Sequence, residues 1–193
     1  MNRREADMPE LDDYSGPFKP DLRFEDFSKE FLLKLIHSWQ YAWLHMAGAW
    51  YDAISKRWGA EAANDCNLEV WLRIGERVVP RYAKIANIPA INTVLDALKV
   101  QQLPLDNIIG GLFQPEYDIR SPNHVIMTFR RCKTLEVFER DSPERIEHVC
   151  HVLEPAVFQS YCINSDIKLT PLKLPPRKSP EEIACQWELR LEE

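Results

Sequence analysis

Apolar residues recur at helical spacing through the first half of the chain. Phe27, Phe31, Leu35, Trp39, Ala42, Met46, Trp50 and Ile54 fall on one stripe with no proline among them. This pattern predicts a long helix over residues 24–57, with its apolar side turned to a core and Gly59 just past its end as a C-cap. A second periodic run over 60–79 sets Val70, Ile74 and Val78 on one face. Pro80 then breaks that run or opens a short continuation through Ile85. The short connection at Gly59 makes the two helices antiparallel neighbours. A turn at 87–89 leads into a third helix over 90–101.

The pattern changes after Pro104. Gly110-Gly111, Pro115 and Pro122 punctuate short runs of β-branched and aromatic residues. EYDIR (116–120) and HVIMTFR (124–130) read as a hairpin joined by Ser121-Pro122-Asn123. Residues 133–140 fit either a strand extension or a helix. Ser142-Pro143-Glu144 has the form of an N-cap followed by proline at the first helical position, so 143–150 predicts a short helix, and Pro155 opens another ending near Tyr161. IKLTPLKL (167–174) alternates but carries Pro171, which suits an edge strand. ACQWELRL (184–191) alternates cleanly. The fold class is therefore α+β: a helical hairpin and a third helix packed on a small antiparallel sheet with short helices. Residues 1–22, polar and carrying Pro9, Pro17 and Pro20, read as an extended arm. Residues 23–104 form the helical region and 105–193 the α+β region, the two together making one compact unit.

Composition narrows the function classes. A net charge of −6 over 193 residues argues against nucleic acid, whose phosphates are held by clustered Lys and Arg. No uncharged run approaches the roughly 20 residues that cross a bilayer. The opening MNRREADMPELDD lacks the apolar core of a signal peptide, so a cytoplasmic location is expected, and there thiols stay reduced. The five cysteines, Cys66, Cys132, Cys150, Cys162 and Cys185, are then free thiols, ligands or nucleophiles.

Candidate chemistry gathers in two places. Cys132 stands among Arg130, Arg131 and Lys133, and nearby cations favour the thiolate; in a strand, Arg130 is its same-face neighbour. Cys150, Cys162, Cys185 and His151 are candidate metal ligands, with zinc or iron as the ions such donors take. No two cysteines form a close knuckle pair, however, and HVCHVLEPAVFQSYC (148–162) reads better as a proline-bent helical pair supplying core thiols. On the first helix, Tyr41, His45, Gly48 and Asp52 make a polar stripe. Folding back at Gly59 would bring Asp52 toward Glu69 and His45 toward Glu76, an arrangement suited to acid/base or metal chemistry and equally to a solvated face.

The strand ending at Cys132, the later Cys150 and Cys162, the pair Pro175-Pro176 and the final Cys185-x-Trp187-Glu188 together resemble the C-terminal signature of a prokaryotic family of unknown function. His45, Trp50, Gly59, Ala62 and Trp71 resemble its helix pair. That family is similar, more distantly, to L-2-amino-thiazoline-4-carboxylate hydrolase-like proteins. The resemblance implies opening of a small cyclic amidine or thiazoline ring by water. Some members carry a further Cys beside the proline pair, where this chain has Lys173-Leu174, which weighs against a Cys-rich metal centre here.

The reading is a small-molecule-binding protein with a pocket between the helical pair and the sheet, lined by His45, Asp52, Glu69 and Cys132, with Trp50 and Arg130 beside them. A hydrolase is the competing class, with Cys132 as nucleophile and His45 as its partner, or with a metal-activated water. An accessory or scaffolding subunit is the third, favoured if the arm 1–22 and the Trp-rich face are exposed, and a homo-oligomer is a candidate partner state.

Overall fold

The computed structural model describes residues 10–104 and 113–191. The arm before Glu10 and the Gly110-Gly111 break lie outside the described residues. The chain divides within its first helix into two compact units, residues 1–47 and 48–193.

In the first unit the arm is extended. Leu11 lies beside Phe27 in a single parallel bridge, its N–H donating to the Asp26 carbonyl at 2.8 Å. A 3-10 turn at Phe24–Asp26 precedes helix α1 (Lys29–Trp58), and Ser28 Oγ accepts the Phe31 N–H at 3.2 Å to cap it. Phe27 stacks on Phe31 with ring centroids 4.4 Å apart. The apolar stripe predicted for the core is corrected in part: Phe27 is buried and Phe31, Leu35 and Ile54 are half-buried, but Trp39, Ala42, Met46 and Trp50 are exposed. Leu32, Ile36, Gln40, Trp43 and Leu44 are buried or half-buried instead. A helix apolar around most of its circumference has no face that hydropathy alone can choose.

In the second unit Gly59, at φ 92°, takes a backbone conformation that favours glycine and turns the chain into α2 (Ala60–Arg77). Tyr51 Oη donates to Asn64 Oδ1 at 2.8 Å across this turn. Pro80 opens the short α3 (Val79–Ile85), where its missing N–H costs nothing. Helix α4 (Val94–Gln101) starts later than the periodicity predicts, because Thr93 and Asp96 form a reciprocal capping box.

The hairpin forms as read. Strand β1 (Phe113–Ser121) pairs with β2 (His124–Cys132). The ambiguous stretch is helical: α5 (Lys133–Asp141) begins at once, with Cys132 as its N-cap. Helix α6 (Arg145–His148) runs into a π-helical turn at Val149–Leu153 and then α7 (Glu154–Tyr161). Strands β3 (Ile167–Lys173) and β4 (Cys185–Leu191) complete an antiparallel sheet of order β1-β2-β4-β3, which leaves Pro171 on an edge.

One face of the sheet carries Val125, Met127, Phe129, Trp187 and Leu189 into a core shared with α4 and α7. The other face is polar, with His124 on Glu188 at 2.7 Å and Gln186 on Thr128 at 2.8 Å. Arg145 is sandwiched between the Tyr51 and Phe138 rings, its guanidinium carbon 3.8 and 4.6 Å from their centroids, which ties the end of α1 to α5 and α6.

Helix α2 lies so close on α7 that a methyl group at the buried Gly75 would run into Ser160 Oγ and Cβ. Gly75→Ala is therefore expected to lower stability by about 1–3 kcal/mol in urea unfolding, and Ser160→Gly in the same chain to restore most of it. An unchanged midpoint in Gly75→Ala would show that the two helices are not in contact there.

Candidate functional site

A partly open cavity sits where β2 ends and where β1 and β4 begin. The register sets its walls: Phe113 pairs with Cys132, and Phe129 pairs with Cys185. Phe129, Phe158, Trp187, Leu135 and Leu174 make the apolar walls, and Cys132, Cys150, Cys185, Thr134 and Glu154 also border the space. Its free volume is about 40 Å³, room for two or three waters or one ion but not for a drug-sized molecule.

Local chain geometry brings each donor there. Cys132 ends β2 and caps α5, its sulfur accepting the Leu135 N–H at 3.4 Å. Cys185 opens β4, and the Trp187 indole N–H, two residues on, donates to its sulfur at 3.2 Å. Pro155 has no N–H to return to the His151 carbonyl. The helix before it widens, and the Glu154 N–H reaches the Val149 carbonyl five residues back. That π turn carries both Cys150 and Glu154 to the cavity. His151, on the same turn, holds the Pro175 carbonyl with Nε2 at 2.6 Å, fixing the loop that forms one wall.

The field in the cavity is negative. Burial, first of all, pushes the Cys132 and Cys185 thiols from their ordinary 9.0 up to about 12 and raises Cys150 as well, and the Glu154 carboxylate adds to each. The cations next to Cys132 in sequence face elsewhere. Arg130 binds Glu116 at 2.7 Å, and Arg131 binds Glu136 at 3.0 and 3.2 Å. Near neutral pH these thiols are therefore protonated, so Cys132 has none of the thiolate character that its neighbours in sequence suggest.

The other expected site residues fall outside this cavity. His45, Trp50 and Asp52 are exposed on α1, and Glu69 is exposed on α2, where it pairs with Arg73 at 2.8 Å. No residue of α2 lines the cavity. Cys162 is buried apart from it, donating to the Phe158 carbonyl and accepting from Gln101 Nε2, each at 3.4 Å. Among the described residues no group of three or more His, Cys, Asp or Glu side chains is arranged to hold a metal ion. No helix among them is long and apolar enough to cross a membrane.

Glu154 and Trp187 border the cavity and were not among the site residues expected from the sequence. Their signals were present as spacing: Glu154 lies four residues after Cys150, and Trp187 two after Cys185.

A family profile matches residues 25–191 and so spans α1 through β4. The chain belongs to DUF6125, a family of unknown function. No curated protein and no solved structure matches it.

The raised thiols set a pH dependence. The unfolded chain loses its thiol protons near pH 9, while folded Cys132 and Cys185 hold theirs to about 12. Their contribution is present in full below pH 9 and is lost as pH rises through that window, by about 1.4 kcal/mol per pH unit for each thiol. Urea unfolding from pH 8 to 11 should show this fall, with a shallower slope in Cys185→Ala. Equal slopes in the two proteins would mean that the Cys185 thiol is not buried.

Proposed function

We propose that this protein binds a small thiol-seeking ligand in the cavity of Cys132, Cys150, Cys185 and Glu154. The single observation that carries the reading is the convergence of Cys132, Cys150, Cys185 and Glu154, from β2, the π turn, β4 and the start of α7, on one apolar-walled space. The N–H groups aimed at two of the sulfurs also support the reading, because they favour the thiolate that forms when a ligand displaces the proton. A hydrolase acting through a Cys132 thiolate fits less well, because burial holds that thiol protonated and no imidazole lines the cavity to take its proton.

Arsenite is the probe of choice. It is small, neutral near pH 7, and condenses with neighbouring thiols, one water leaving as each As–S bond forms. Reduced protein is expected to take up one arsenite per chain, Cys150→Ser to lose it, and Cys66→Ser to keep it. Absence of uptake, with all five thiols titrating after unfolding, would reject the cavity as a site.

A second reading rests on a different observation. Trp39 and Met46, which share one side of α1, are 46% and 58% exposed, an apolar display of the kind that marks partner surfaces. Self-association through this side predicts a dimer or larger species in sedimentation, with Met46→Glu shifted to monomer. A wild-type monomer at high concentration discards it.

A further inference from the structure

A second groove, apart from the thiols, opens between α3, the turn at 87–91 and Ile163. We infer that it binds a small aliphatic monocarboxylate, with the carboxylate on Lys84 and the hydrocarbon body on the isoleucines. The groove and the thiol cavity share no lining residue.

Size, lining and charge agree on this ligand class. The groove holds about 400 Å³, inside the roughly 300–1,000 Å³ of small-molecule sites. Ile88, Pro89, Ile91 and Ile163 give it aliphatic surface, and no aromatic ring lines it to stack on a planar ligand. Its only polar side chains are Lys84 and Asn87, and no acid borders it. Lys84 is exposed and has no carboxylate partner among the described residues. One unpaired ammonium beside an aliphatic surface is complementary to one carboxylate on an aliphatic body. The Asn87 amide adds a hydrogen-bond donor to the same lining.

The backbone around the groove is specifically built. Asn87 and Ile163 are the two non-glycine residues with positive φ among the described residues, at 56° and 63°, and both line it. Each stands one residue past a helix C-cap, where glycine or asparagine is the usual choice. Asn87 meets that preference. Ile163 does not, because a β-branched side chain crowds the backbone there. Its neighbour holds it in place: the Asn164 N–H donates to the Cys162 carbonyl at 2.6 Å, and Asn164 Nδ2 donates to the Ile91 carbonyl at 3.0 Å. The second bond ties one wall of the groove to the other. Strain of this kind persists where the side chain it places is used, and here that side chain lines the groove.

The test is an NMR titration of the full chain, isotope-labelled at its isoleucine and leucine methyls, with octanoate and with octanol as the uncharged comparator. Octanoate should saturate one site, shift the Ile88, Ile91 and Ile163 methyls, and bind more tightly than octanol. Lys84→Gln, at an exposed position, should raise the octanoate Kd roughly 2–5-fold, the scale of a solvent-facing ion pair, and leave octanol unchanged. Ile163→Gly should unfold at higher urea, since glycine accepts the positive φ, yet hold octanoate more weakly. No saturable shift overturns the proposal, as does equal affinity for acid and alcohol with no effect of Lys84→Gln. Shifts centred on Leu135 and Leu174 would put the acid in the thiol cavity and overturn it too. Octanoate held as tightly by Ile163→Gly would remove the strained side chain from the site and overturn the geometry on which it rests.

Discussion

The second unit depends on a run of four aromatic rings that crosses from the sheet to the helices. Phe113 meets Phe129 edge-on at 5.8 Å between centroids, Phe129 stacks on Phe158 at 5.8 Å, and Phe158 meets Trp187 edge-on at 5.4 Å. The rings come from β1, β2, α7 and β4, so one contiguous cluster fixes three strands and a helix relative to one another. Each pair adds about 0.5–1.5 kcal/mol beyond the area it buries. The run also bounds the cavity, since all four rings line it. The position of the thiols is thus a consequence of core packing.

Around that floor polar contacts hold the chain that borders the cavity. Arg177 makes a two-point pair with Glu139 of α5, at 2.7 and 2.8 Å, and its side chain is only 4% exposed. A guanidinium so buried needs its carboxylate, and the pair pins the connection between β3 and β4 onto α5. His151 holds the same connection through the Pro175 carbonyl. What these contacts border is a space whose sulfurs receive N–H groups but no positive side chain. That combination separates a binding site for a soft, electron-poor atom from a catalytic cysteine, which needs a cation or imidazole to make its thiolate.

Much of the fold was legible in the sequence because local signals and tertiary packing agree. Ser121-Pro122-Asn123 gives the hairpin, Pro171 an edge strand, Gly59 the turn between long helices, and Pro155 the start of α7. The α+β class follows from these. The stretch after Cys132 stayed ambiguous, since its helix is nucleated by a cysteine in the capping position, where Ser, Thr, Asp or Asn is the usual sign. The face of α1 could not be chosen because apolar residues lie on most of its sides.

The site was less legible than the fold for a reason of scale. Cys132 and Cys150 are brought together by α5, α6 and the π turn, and Cys185 joins them only because β4 lies next to β2. That strand order depends on long-range pairing and leaves no local trace. The polar stripe of His45 and Asp52 had the opposite character, being plain at helical spacing yet placed on an exposed side of α1. The measurement closest to the central claim is pulse alkylation of the native, reduced chain at pH 8 with peptide mapping of each cysteine. Cys132, Cys150 and Cys185 should be protected together and become labelled together at the rate of global unfolding. Labelling of any one of them at the rate of a free thiol in the native state would contradict the existence of a shared, recessed thiol cavity.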